Sequence, residues 1–282
     1  MGSLRPADSW LPSMRLLYLS LSYSIRHVAA FLALCQLQST HHSTLLLAAF
    51  MYLFSGLGVT AGVHRYWTHH SYEATPTMEL LLLCMFAIAD QGSVIGWALT
   101  HAVHHRYSDT DHDPHNRTAG FWYSHMAWVF DNRKFVLPQE EIDRVSLRLS
   151  PLVRCHDACS AWLDPLLSLG APMLIASLWG DAYGGLMVAG ALRWCLVLHA
   201  TFTVNSLAHG IRPDGTFGPI DSLVVSIITL GEGWHEWHHK YPFDYAAADS
   251  SRLLWNPTKV FIDCCATAGL CSRRRVRGGK CL

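Results

Sequence analysis

The chain has 282 residues, of which 51% are apolar and only 15% charged, with 21 Lys plus Arg balanced by 21 Asp plus Glu. A net charge of zero offers no basic field for nucleic acid, and the shortage of charge points to a membrane protein. Nine scattered cysteines without a C-x-x-C pair indicate neither a zinc ribbon nor a disulfide framework and are read as reduced thiols.

The N-terminus has no basic stretch leading into a short apolar core and a cleavage site, so the first apolar segment is expected to remain in the protein. Four stretches, residues 16–37, 43–63, 163–180 and 185–207, approach the roughly 20 residues that a membrane-crossing helix needs. Short links at Gln38–His42 and Gly180–Tyr183 make them two hairpins. Those links hold no Lys or Arg, whereas the N-terminus, residues 104–154 and the Arg273–Lys280 tail hold most of them. The positive-inside rule therefore puts both termini and the middle segment in the cytoplasm. Arg26 and Arg193 fall inside proposed spans and must face protein, water or headgroups. Two shorter apolar runs, Leu80–Ala89 and Leu223–Leu230, are about half a span and are read as interfacial or buried helices. The expected architecture is all-α: four transmembrane helices under a cytoplasmic helical cap.

Histidine, with 18 copies, is the compositional outlier. The clusters are His64-Arg65-Tyr66-Trp67-Thr68-His69-His70, His101-Ala102-Val103-His104-His105 and His235-Glu236-Trp237-His238-His239. On a helix, positions i, i+3 and i+4 share a face, so each H-x-x-H-H unit can offer two or three imidazoles to one point. One unit alone is ordinary surface polarity, but two units and a third cluster define a metal site. They must share one side of the membrane, and reading Leu80–Leu99 as a span would divide them. In the first cluster, i and i+5 lie roughly 140° apart on an α-helix. Either that helix ends near His64 or the two rings approach from different directions, and geometry leaves His69 and His70 as alternatives. An all-nitrogen site with open positions suits iron among several divalent metals.

The chain resembles the membrane acyl-CoA desaturases of the stearoyl-CoA, delta-9 type. The resembling stretches run in order over about residues 50–250: Gly58 through Arg65, Trp97 through His105, Asp113-Pro114-His115-Asn116, Asn205-Ser206-Leu207-Ala208-His209 and Gly231 through His239. The resemblance implies one desaturase domain over 1–282, with histidine boxes at 64–69, 101–105 and 235–239. It implies two iron ions (Fe2+) held by His64, His69, His101, His104, His105, His209, His235, His238 and His239, with Asn205 reaching the metal through water. His70 is then a neighbour, not a ligand. Gln91, Trp97 and Thr201 are implied to pinch an acyl tunnel, and Tyr52 and Gly56 to close its end. The implied reaction is O2-dependent removal of two hydrogens from a long-chain acyl substrate. No haem or nicotinamide fingerprint is present, so cytochrome b5 and its NADH-dependent reductase are the implied electron donors, in the endoplasmic reticulum membrane. Leu99-Thr100 and Gly92-Ser93 depart from polar pairs that animal members direct at CoA, which leaves the carrier as CoA or another acyl carrier.

The other histidines receive plainer readings. His27, His41, His42, His156 and His199 are read as non-ligands, and His115 as a residue near the site. Asp113 and Glu232 are acceptors for ligand N–H groups or else helix caps. The sequon Asn116-Arg117-Thr118 is expected to be unused in the cytoplasm. Rival functions are a three-box membrane hydroxylase or acyl-lipid desaturase and, from another class, a membrane haem or metal-binding protein.

Overall fold

The computed structural model of the chain describes residues 12–131, 138–147, 149–249, 251, 254–278 and 280–282. Four long apolar helices dominate it: α1 (Ser13–Ser39), α2 (His42–Thr68), α7 (Pro151–Ser177) and α8 (Ala182–Leu207). Shorter helices complete it: α3 (Pro76–Ala89), α4 (Val94–Tyr107), α5 (Phe121–His125), α6 (Gln139–Ser146), α9 (Leu223–Ile228), α10 (His235–Lys240) and α11 (Pro257–Thr267). Among the described residues, named strands form two antiparallel pairs, Glu73–Ala74 with Cys271–Ser272 and His209–Ile211 with Phe217–Pro219.

The outer face of α1 leaves Leu17, Ile25 and Phe31 more than half exposed. So continuous an apolar face is stable only against lipid, and the protein is an integral membrane protein. The two hairpins are joined at their turns by Asp181. Its carboxylate accepts from the His41 backbone N–H (3.1 Å), the Thr44 hydroxyl (2.6 Å) and the Gly184 N–H (3.1 Å).

The two arginines inside spans find partners, as hydrocarbon requires. Arg26 forms an ion pair with Asp90 and lies 4.6 Å from the Trp194 ring centroid. Arg193 donates to the carbonyls of Ile88 (2.9 Å), Ser168 (2.6 Å) and Ala189 (3.1 Å). Both arginines therefore face protein.

One boundary departs from hydropathy: α7 starts at Pro151, twelve residues before the apolar run. The extra turns carry Arg154, His156 and Asp157, which lower the local hydropathy but are largely used internally. Asp157 caps α4 by accepting from the N–H groups of Val94 and Ile95, both at 2.9 Å. His156 Nε2 meets Asp164 at 2.9 Å.

Helices α3 and α4 are bent 83° to one another, around a left-handed Asp90 (φ 51°). They do not form one straight span, in agreement with the sequence reading. Buried Met78, Leu82 and Phe86 of α3 pack beside Trp67 and Tyr72. Gly58 permits this approach: a Cβ there would lie 2.3 Å from the Met85 carbonyl carbon.

Candidate metal centre

Helix α2 ends as a π-helix over Gly58–Thr68, in which hydrogen bonds run from i+5 to i and such residues stack on one face. The His69 N–H donates to the His64 carbonyl at 3.1 Å, and the two rings stand 4.8 Å apart. This resolves the first box. The expectation that i and i+5 cannot share a face assumed α-helical winding, and the wider winding removes it. It also carries the second span past residue 63, so His64 sits inside the helix instead of beyond it. His70 takes up a left-handed conformation (φ 51°) and belongs to neither histidine group.

All nine sequence-predicted histidines converge, as two groups. His64, His69, His101, His105 and His238 form one, and His104, His209, His235 and His239 the other, with ligand atoms in each within 4.8 Å of one another. Each H-x-x-H-H unit is divided between them. At 100° per residue, i and i+4 differ by only 40°, so His101 joins His105 and His235 joins His239, while the i+3 residue points to the neighbouring group. The expectation of two or three imidazoles per unit aimed at one point becomes two at one point and one at the next. This division ties the groups together.

Nitrogen faces nitrogen throughout. Nε2–Nε2 separations are 3.0 Å for His64–His238, 3.0 Å for His69–His101, 2.9 Å for His105–His238, 3.0 Å for His209–His235 and 3.3 Å for His104–His239. Carboxylates assign the protons, since they only accept. Asp113 takes the Nδ1–H of His104 at 2.9 and 3.0 Å, and Asp109 takes that of His209 at 2.8 Å. On the other side His64 Nδ1 lies 2.9 Å from Glu232. The inward Nε2 atoms of these rings thus carry lone pairs, and crowded lone pairs need a cation between them. Burial, followed by the neighbouring imidazoles, holds His69, His101, His105, His235, His238 and His239 below the ordinary histidine range, so these are neutral donors as well. The residues fit a two-metal centre.

Burial alone would raise the Glu232 carboxyl, but buried Arg65, 2.8 Å away, and His64 outweigh it and bring it to about 2. Arg65 is anchored in turn by the Tyr245 carbonyl at 2.8 Å. Asp113 thus acts as a proposed acceptor and Glu232 stands within ion-pair distance of His64 Nδ1, whereas Asp109 and Arg65 were missed by sequence reading. Three aspartates crowd residues 109–113, and nothing in their spacing singles out Asp109, which is positioned by a left-handed φ of 61°. Asn116 of the sequon is buried and caps a short turn by accepting from Thr118. His115 packs 4.5 Å from the His104 ring without joining the four-histidine group.

A cavity lined mostly by apolar groups opens beside both groups. His64 and His101 from one and His235 from the other line it, together with Asn205, Trp97, Thr201, Gly56 and Tyr52. Gln91 stands behind this wall and donates to the Thr201 hydroxyl at 2.9 Å. Tyr52 donates its hydroxyl to the Ile228 carbonyl at the end away from the histidines. Since Tyr52 and His64 are twelve residues apart on α2, the cavity runs along about three turns of that helix. The positions that depart from the animal pattern have structural employment: Leu99 is buried with Val145, Thr100 bonds to the Gly96 carbonyl (2.8 Å), and Ser93 caps α4.

Fold and site together define a four-span membrane protein whose paired polyhistidine centre faces a long apolar cavity. The sequence model of the fatty acid desaturase family matches residues 39–253. Among similar proteins, stearoyl-CoA desaturase 5 of Bos taurus is 36% identical over 259 residues, 89% of this chain and 77% of that protein. The delta(9)-fatty-acid desaturase fat-7 of Caenorhabditis elegans is 36% identical over 263 residues, covering 90% and 77%. The acyl-CoA delta(11) desaturase of Trichoplusia ni is 35% identical over 257 residues, covering 88% and 73%. The chain belongs to the fatty acid desaturase family and is an oxidoreductase.

Proposed function

We propose that the chain, acting as one desaturase domain, converts a long-chain saturated fatty acyl substrate to a cis-monounsaturated product in a delta-9-like reaction. The observation that carries this is the cavity wall, where histidines of both groups meet a narrow apolar channel. In this reading His64, His69, His101, His105 and His238 hold one iron. His104, His209, His235 and His239 hold the other, with Asn205 acting through water. The irons would supply the oxidant for unactivated C–H bonds, a task beyond any side chain. The protein supplies position: the apolar wall takes the acyl chain out of water, and Trp97 and the Gln91–Thr201 pair fix the segment lying beside the histidines. Asp109, Asp113 and Glu232 keep the ligand tautomers fixed.

O2 takes up the two substrate hydrogens, two further electrons and two protons to leave as water. The electrons come from cytochrome b5 and its NADH-dependent reductase. The substrate is an acyl-CoA, as the names of the relatives suggest, presented from the cytoplasmic side of the endoplasmic reticulum, where both termini lie. The delta(9) and delta(11) names among similar relatives show that the family fold does not fix the double-bond position by itself.

Expression in a desaturase-deficient host followed by lipid profiling tests the reading. A product two mass units below the saturated acyl chain supports it, and a gain of one oxygen would make the protein a hydroxylase. Purified protein given O2 and acyl-CoA alone should be inactive and recover with cytochrome b5 and reductase.

A further inference from the structure

Outside the nine-histidine centre, His27 on α1 and His199 on α8 face one another with Nε2 atoms 2.9 Å apart, and Cys195 stands one turn before His199. The three ligand atoms lie within 4.8 Å of one another, and Cys195 is a free thiol. We propose that His27, Cys195 and His199 form a separate site for a soft d10 ion, Zn2+ or Cu+, which clamps the first span to the fourth.

The hydrogen-bond network around the site can accommodate an ion. His27 Nδ1 lies 2.7 Å from the Tyr23 carbonyl, which can only accept, so the His27 proton sits on Nδ1. His199 Nδ1 lies 3.0 Å from His125 Nε2, His125 Nδ1 lies 2.9 Å from the Ser206 hydroxyl, and that hydroxyl donates to the Phe202 carbonyl at 3.0 Å. Read from Ser206 outward, these bonds all hold at once if His125 donates to Ser206 and His199 donates to His125. That leaves both facing Nε2 atoms without protons, the same signature found in the nine-histidine centre. If His27 carried a proton between the two rings, its Nδ1 would turn a lone pair toward the Tyr23 carbonyl. Without an ion, His199 can carry that proton on Nε2, with His125 donating to His199 and the Ser206 hydroxyl turned from Phe202 to His125, and a bound ion takes the place of that inter-ring bond. An imidazolium would add a second cation directly after Arg26 inside a span, where charge is costly.

The donor set, two imidazoles and one thiolate, selects zinc or cuprous ions over harder metals. Both histidines have the outer partner that ligating imidazoles need, a backbone carbonyl for His27 and His125 for His199. A surface recess lined by Ser20, Tyr23, Ser24, His27, Met126 and Phe130 gives an ion a route in. The site is distinct from the acyl cavity. Val197, Thr201 and Val204 line that cavity, and a residue two positions along a helix points about 200° away, which sets Cys195 and His199 on the opposite side of α8.

The test uses the iron-loaded full chain in detergent, titrated with Co2+ as a probe for Zn2+ and, separately, with Cu+ against a competing chelator. The nine-histidine centre contains no thiolate, so a near-ultraviolet thiolate-to-cobalt absorption excludes that centre, and the Cys195→Ser variant separates this site from the other eight cysteines. The expected result is such a band saturating at one equivalent, erased by Zn2+ and absent in Cys195→Ser, or one equivalent of Cu+ retained by the wild type and lost in that variant. Iron content should not change. His199→Asn, which keeps a smaller polar side chain at a part-buried position, is expected to fold and to weaken binding at least tenfold. Absence of both the cobalt band and stoichiometric Cu+ binding would overturn the proposal. So would a signal that persists in Cys195→Ser or an undiminished affinity in folded His199→Asn.

Discussion

The two histidine groups of the central site are built from the same repeated unit but secured differently. The five-histidine group leans on Glu232, a fully engulfed carboxylate whose charge is balanced by equally buried Arg65. The four-histidine group leans on Asp109 and Asp113, which sit on a turn and have no arginine partner among the described residues. One group is thus part of the ion-paired core of the protein, and the other is gripped by a loop. The difference separates what stabilises the fold from what only holds metal, and substitutions can break that separation or sharpen it.

The largest effect is expected in the first box. His69→Ala removes a ring in contact with His64, His101, His105 and His238, so activity should be abolished and iron content should fall. His70→Ala should retain substantial activity. Assaying both variants beside bound iron checks the assignment, and the reverse ranking would mean that the π-helical turn does not place His69 in the site.

Glu232→Ala should act chiefly on stability. It strands the Arg65 guanidinium without its carboxylate, and breaking a buried pair by deleting one partner costs about 3–5 kcal/mol. A marked drop in thermal midpoint, measured even on iron-free protein, is the expected outcome. An unchanged midpoint would show that the pair is not part of the core. Asp109→Ala should behave oppositely. Its fold should persist, but loss of the acceptor for His209 should weaken the second metal by about 10–100-fold. Iron analysis after mild chelation should then find one iron lost from the four-histidine group while the other remains. Loss of both would show that the groups load as a unit.

The spans and the convergence of the nine histidines were legible because each depends on a property the sequence displays: long apolar runs, and imidazoles repeated at helical spacing. Four of the five tunnel positions likewise line the cavity, with Gln91 directly behind. The hidden features arise where tertiary contacts override local pattern. No periodicity announces the π-helical end of α2, since the extra residue per turn is accommodated by packing against α3, where Gly58 meets the backbone of Met85. The polar start of α7 reads as non-membrane until Asp157 is seen capping α4. Asp109 becomes visible only when a left-handed turn brings it to His209, 100 residues away in sequence.

The smallest expected effect lies at the far end of the cavity, where volume and not charge is at stake. Gly56 is buried in α2 and lines the cavity, and a Cβ built there would come within 3.0 Å of Leu230 Cδ1. That atom is the tip of a flexible side chain, so Gly56→Leu can be accommodated by moving Leu230 and filling space beside Tyr52. If the terminal methyl of the substrate occupies that space, the longest chains lose room. A displaced methylene is worth about 1–3 kcal/mol, so the ratio of shorter to longer unsaturated products should rise about tenfold or more. Overpacking carries its own cost of about 1–3 kcal/mol, so the thermal midpoint should be measured beside the product profile. A folded variant with an unchanged chain-length profile would mean that Gly56 serves only to seat α2 against Leu230, and that the substrate ends short of it.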